Sequence, residues 1–146
     1  MVNVDISPYA LQHTAPALED YVRLRRESGL SPISPEQAEP ALRSSWAWRH
    51  ARSSAGETVG MGRVIGDGGW YFHLADMATL PEHQGRGLGK AILDSLVAEI
   101  HSRAPAHPYI TLIGDPPGQH LYRSRGFEDV APSLGMVLRD TGTVET

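Results

Sequence analysis

Apolar residues recur every four positions at Leu88, Ile92, Leu96 and Ile100, with Leu93 and Val97 beside them. That spacing predicts an amphipathic helix, ended by Pro105 and Pro108. Upstream, Leu18, Tyr21, Val22 and Leu24 give residues 16–28 a weaker helical face with Gly29 as its stop. Ser34-Pro35-Glu36-Gln37 is a helix start, with Ser34 as cap, Pro35 in the first turn and Gln37 at the capping-box position. The remaining apolar runs are short, as strands are. They fall at 3–6, 46–52, 58–65, 70–79, 109–113 and 135–138, and Gly60 and Gly62 weaken the third. Gly66-Asp67-Gly68-Gly69 predicts a hairpin between the third and fourth runs. Pro117–Arg125 reads as a short helix closed by Gly126.

The order is strand, two helices, three strands, helix, strand, helix, strand. It predicts an α/β fold with a mixed sheet of about six strands. The 146 residues suit one domain spanning 1–146. With 40% hydrophobic and 21% charged residues, the composition is that of a globular protein. A formal charge of −4 offers no basic field for nucleic acid. No apolar stretch approaches a membrane span, and the first residues lack a signal-peptide pattern, so a cytoplasmic protein with no membrane partner is expected. The absence of cysteine removes disulfides, thiolate metal sites and a cysteine acyl-enzyme. The seven histidines form no ligand cluster, so no metal is expected.

Chemistry concentrates in Gln84-Gly85-Arg86-Gly87-Leu88-Gly89-Lys90, between a strand and the strongest helix. Three glycines leave main-chain N–H groups uncovered at the positive end of a helix dipole, and Arg86 and Lys90 add charge. A pyrophosphate is the natural occupant. The spacing is not that of a Walker A loop, since Gly85 and Gly89 are three residues apart and Ala91 follows Lys90. It is not the Rossmann G-x-G-x-x-G either. Read alone, the segment is equally a glycine-rich helix start without a ligand.

The run from Asp76 through Leu80-Pro81 to Gln84-Gly85-Arg86-Gly87-Leu88-Gly89 resembles the central motif of the GCN5-related N-acetyltransferases, the GNAT superfamily. In that motif a strand and a proline precede [Gln/Arg]-x-x-Gly-x-[Gly/Ala]. Leu121-Tyr122, followed by Gly126-Phe127, is similar to the family's second signature, at the family's spacing. The resemblance covers roughly residues 58–140, and the first 50 match in element pattern only.

The resemblance implies a single-domain mixed sheet of about six or seven strands flanked by about four helices. In it, strands 70–79 and 109–113 splay to admit acetyl-coenzyme A, and the first of the two is bulged. The pantetheine arm would pair with the main chain at Met77 and Thr79. The pyrophosphate would rest on Gly85, Arg86, Gly87, Leu88, Gly89 and Lys90, with Gln84 shaping the turn. Family members often carry Asn where this chain has Asp115, followed by Pro116, Pro117 and Gly118. Asp cannot donate as an amide does. The implied reaction is direct attack by an amine, with a homodimer as one assembly the family shows. A sensor that binds the cofactor without turnover, or an acetyltransferase for a protein or peptide amine, are the alternatives to a small-molecule acceptor.

Only about one alkylammonium in a few thousand is neutral at pH 7, so a proton acceptor is needed. By resemblance Tyr122 protonates the departing sulfur, and Ala78 on the bulged strand offers an oxyanion N–H. Asp76 is the candidate base. His73 could serve through water, and Glu82, His83 and His120 are weaker candidates. Trp46 and Trp48, which alternation places on one face, together with His73 and Asp76, are candidates for the acceptor pocket.

Overall fold

The computed structural model describes residues 5–140. They divide after Leu112 into two compact units. The first holds β1 (Ala10–Gln12), α1 (Leu18–Glu27), α2 (Pro35–Ser44), β2 (Ala47–Arg52), β3 (Thr58–Gly66), β4 (Tyr71–Thr79), a 3-10 turn (Pro81–His83), α3 (Leu88–Arg103) and β5 (Tyr109–Leu112). The second holds α4 (Pro116–Ser124).

The α/β class is as expected. The sheet runs in the order β1-β2-β3-β4-β5. β1 to β4 pair antiparallel, and β5 joins β4 in parallel, Tyr71–Leu74 against Tyr109–Leu112. A parallel neighbour needs a crossover, and α3 supplies it. The periodic face of α3 faces the sheet: Leu88, Ile92, Leu93, Leu96 and Ile100 are buried, each contributing about 1.5–3 kcal/mol. Arg49 of β2 reaches the same helix, donating to Ser95 Oγ at 2.7 Å and pairing with Glu99 at 2.7 Å.

Gly60 and Gly62 do not break β3; they let α3 approach it. A Cβ at Gly62 would lie 2.5 Å from Met77 Sδ and 2.8 Å from Ile92 Cγ2. The capping box of α2 forms as its sequence predicts: Gln37 N–H donates to Ser34 Oγ at 3.2 Å, and Ser34 N–H to Gln37 Oε1 at 2.9 Å.

Two predicted strands differ. The first was placed at 3–6, where residues 3 and 4 lie outside the described residues. The observed strand is Ala10–Gln12, which pairs with His50–Arg52. The last, Gly135–Leu138, is not a strand, and its side chains are solvated. An alternating pattern specifies a strand only when it is paired, and Gly135–Leu138 belongs to none of the strands among the described residues. The sheet therefore has five strands among the described residues, against six or seven expected. No helix among the described residues is long and apolar enough to cross a membrane.

Candidate functional site

β4 changes character halfway along. Ala75 pairs with Arg63 and Ala78 with Met61, so Asp76 and Met77 together oppose Gly62. This is a β-bulge. Asp76 takes the left-handed conformation, φ 55°, which Asp tolerates better than most residues. The parallel pairing with β5 stops at Leu74. Beyond it, residues 75–79 have no strand on that side among the described residues, which leaves an open main-chain edge at Met77, Ala78 and Thr79.

The strand runs into the 3-10 turn and then α3. Gln84 Nε2 donates to the Thr79 carbonyl at 3.0 Å, tying the turn to the strand end. Gly85 and Gly87 have φ of 76° and 82°. Gly87 is the N-cap of α3. No side chain caps the helix and no acid lies in its first turn. An α-helix leaves its first N–H groups without internal partners. Here those of Leu88, Gly89 and Lys90 face neither a capping side chain nor a competing carboxylate. The arrangement fits an anionic diphosphate, with exposed Arg86 and Lys90 as its cations.

Asp76 is surrounded. Its carboxylate pairs with Arg25 of α1 and with Arg63 of β3, and Tyr21 Oη donates to Oδ2 at 2.8 Å. Burial acts most strongly and raises its pKa. Hydrogen bonds from Arg63 and Tyr21 and the charges of Arg63 and Arg25 outweigh it, holding the carboxyl below its ordinary value. A carboxylate so engaged is a poor proton acceptor, so the geometry argues against the expected base role. Sequence reading missed Tyr21, Arg25 and Arg63. Their signals are the i, i+4 spacing of Tyr21 and Arg25 on one helix, and an arginine within the apolar run of β3.

His73 precedes the bulge on the same strand and is half-buried. Its Nδ1 meets Thr111 Oγ1 at 2.8 Å, and Thr111 Oγ1 donates to the Phe72 carbonyl at 3.5 Å. The tautomer of His73 sets which of Nδ1 and Thr111 Oγ1 donates in this contact. Burial, then the charge of Arg63, lowers the His73 pKa, so the ring is neutral near pH 7. Elsewhere, His83 Nδ1 meets Tyr9 Oη at 2.7 Å, tying the 3-10 turn to the segment before β1.

Trp46 and Trp48 are not brought together. Trp48 is buried against Tyr21, ring centroids 5.0 Å apart, and its Nε1 donates to Ala41 of α2 at 3.1 Å. Trp46 packs on Phe72 at 4.9 Å under Arg103 of α3. The expected single face fails because Trp46 lies just before β2 begins, where alternation does not yet apply. A cavity of about 750 Å³ between α1 and the 3-10 turn is lined by Asp20, Glu27, Glu57 and Glu82, and Arg23 pairs with the first three.

In the second unit, Asp115 is the N-cap of α4, and its side chain makes no capping bond. The Tyr122 ring lies over Gly118, where a Cβ would come 2.8 Å from Cε2 and 3.2 Å from Oη. Gly118, expected at the cofactor, thus makes room for this phenol. Burial, then the charge of Asp115, raises the Tyr122 pKa and keeps its hydroxyl protonated. Phe127 packs edge-on at 6.2 Å, and its N–H donates to the Tyr122 carbonyl at 3.1 Å.

Comparison with known proteins gives consistent results. A family model described as "Acetyltransferase (GNAT) domain" matches residues 44–129. A "Probable Acetyltransferase" from meticillin-resistant Staphylococcus aureus is 34% identical, with a TM-score of 0.84, over 90% of this chain and 99% of that one. The rice (Oryza sativa subsp. japonica) serotonin N-acetyltransferase 2 is 35% identical over 82 residues, 56% of this chain and 40% of that protein. The soybean (Glycine max) histone acetyltransferase TAP1 is 34% identical over 70 residues, 48% of this chain and 29% of that protein. The chain therefore spans well under half the length of these two plant relatives.

Proposed function

This chain belongs to the GNAT acetyltransferase family, and on that premise we propose that it moves the acetyl group of acetyl-coenzyme A to a primary amine by direct attack in a ternary complex. The observation that carries the reading is the bulged strand with an open edge, continuous with an uncapped helix N-terminus. Similarity to a serotonin N-acetyltransferase supports a small-molecule acceptor.

The cofactor supplies an acetyl thioester. The N–H groups of Leu88, Gly89 and Lys90, with Arg86, hold its diphosphate. Main-chain groups of Met77 and Thr79 hold its pantetheine amides, and the Ala78 N–H takes the oxyanion charge. Asp115 offers a further acceptor to the pantetheine. The neutral ring of His73 receives a proton from the acceptor's ammonium, directly or through water, and the amine so freed attacks the thioester. Tyr122 gives its proton to the leaving sulfur. Asp76 acts as a positioning residue: it holds Arg25, Arg63 and Tyr21 and so fixes the bulge.

The test is release of free thiol from acetyl-coenzyme A across a panel of small amines and peptides. Amine-dependent release, strongest for a small molecule, supports the proposal. Tight cofactor binding without thiol release for any amine overturns it in favour of a sensor.

A further inference from the structure

The acid at the bulge is outnumbered. Arg25 of α1 and Arg63 of β3 each pair with one oxygen of Asp76, so two guanidinium charges meet one carboxylate. His73, three residues earlier on β4, is neutral near pH 7. Tyr21 keeps its proton, its pKa pushed up to about 12. The cluster therefore carries one positive charge in excess. That excess lies on the accessible side: both arginine side chains are 17% exposed, against 2% for the side chain of Asp76.

Both guanidiniums are held in place by further contacts. Arg25 Nε donates to the carbonyl of Ser31, between α1 and α2, at 2.8 Å. Arg63 Nη1 donates to Ser45 Oγ at 3.0 Å, and its guanidinium carbon lies 5.8 Å from the centroid of the Trp48 ring. Arg25 gives Nη1 to Asp76, and Arg63 gives Nε. That leaves Nη2 of each without an acceptor among the described residues. A fixed guanidinium with uncommitted N–H groups suits a planar oxyanion, and its other bonds have already met much of the cost of ordering it.

The sheet relates this pair to the chemistry. In the β3–β4 ladder Arg63 stands opposite Ala75, and Ile65 opposite His73. Arg63 and His73 are thus diagonal neighbours on one face. On the acetyl-transfer reading above, His73 takes a proton from the acceptor's ammonium, which sets the cations beside the place of the amine.

We infer that the acceptor carries a carboxylate as well as its amine, and that Nη2 of Arg25 and Nη2 of Arg63 bind that carboxylate. The acceptor class is then amino acids rather than plain alkyl- or arylalkylamines. The inference rests on the acetyl-transfer reading and narrows it. One carboxylate cancels the excess charge, whereas a phosphate, at about −1.5 to −2 near neutral pH, overshoots it. An amine without an anion brings its ammonium to a positively charged face and is opposed there.

Matched pairs test this: glycine, β-alanine and phenylalanine against their carboxamides, which keep the shape and lose the charge. Thiol release from acetyl-coenzyme A should show kcat/KM roughly 10- to 100-fold higher for the acid of the best pair, the effect of a charge-assisted hydrogen bond. Arg25→Lys and Arg63→Lys each keep a cation beside Asp76 and remove the fork. Either should cut the acid-to-amide ratio by about tenfold. A merely structural role lowers both substrates together and leaves the ratio unchanged, which overturns the inference. Calorimetry on the native protein loaded with coenzyme A needs neither a variant nor turnover, and there the acid should bind and its amide bind about tenfold more weakly. Acid-selective binding without thiol release removes the acetyl-transfer reading and upholds the arginine clamp. Release with no preference for acid over amide removes the clamp and leaves acetyl transfer standing. A preference for O-phosphoethanolamine over all three amino acids overturns the carboxylate assignment, and so does the absence of both binding and release for every acid.

Discussion

The hydroxyl of Tyr21 on α1 donates to Oδ2 of Asp76 on β4 at 2.8 Å, joining two residues 55 positions apart. Arg25, one turn further along the helix, grips the other oxygen. The bulge is thus held from outside the sheet by a helix, which accounts for a left-handed, non-glycine residue in mid-strand.

Removing the charge of Asp76 leaves Arg25 and Arg63 partly buried without their anion. Asp76→Asn is expected to cost about 3–5 kcal/mol in urea unfolding. Turnover should fall at every pH, without recovery at alkaline pH. Alkaline recovery with unaltered stability would return Asp76 to the role of base. Its folded-state pKa lies below its ordinary value of 3.8, so its contribution to stability is present above that value and is lost as the pH falls below it.

Tyr21 titrates late. Burial, then the hydrogen bond to Asp76, pushes its pKa from 10.0 up to about 12. The folded value is the higher one, so this stabilisation is complete below about pH 10 and disappears as the pH rises through about 12. Spectrophotometric titration should show a tyrosine component near pH 12 that is missing from Tyr21→Phe.

For His73, replacement by Gln should lower kcat by about 10²- to 10⁴-fold while cofactor affinity holds. In the native enzyme the rate should fall as the pH drops, with a midpoint under 6.5, the ordinary histidine value, because burial and Arg63 both disfavour the imidazolium. A pH–rate profile whose acid limb persists in His73→Gln would assign the proton to another group.

Gly118→Ala places a methyl group where the Tyr122 ring now lies. Turnover should fall toward that of Tyr122→Phe, with coenzyme A affinity nearly unchanged in both when measured by calorimetry. Full activity in Gly118→Ala would show that the phenol works from another position.

Gly87→Glu forces a side chain into a left-handed N-cap and sets a carboxylate among the uncapped N–H groups. Cofactor affinity should drop at least tenfold, the effect of about 1.4 kcal/mol. Wild-type affinity would remove the diphosphate from α3.

What the sequence made legible was local. The capping box of α2, the apolar stripe of α3 and the glycines before it act within a few residues, and each stands where the pattern places it. The environment of Asp76 was not legible, because Tyr21, Arg25 and Arg63 come from other elements and only packing decides which of them meet. Periodicity failed at Trp46, one residue outside its strand, and at Gly135–Leu138, where the pattern was strand-like but no strand forms. The space that the missing Cβ of Gly118 leaves for the ring of Tyr122, four residues on, was likewise not legible.

The surplus residue in β4 acts as a phase setting. The Met77 thioether lies beside Gly62 and the Asp76 carboxylate among arginines, and the extra step sets the phase of the residues before the bulge against those after it. Excising Asp76 would hardly shorten the hairpin, yet it would close the bulge and leave Arg25 and Arg63 without their carboxylate. Drift at this stretch is therefore confined to substitutions, and a deletion scan should find it intolerant where the nearby Ser53–Gly56 turn accepts changes of length.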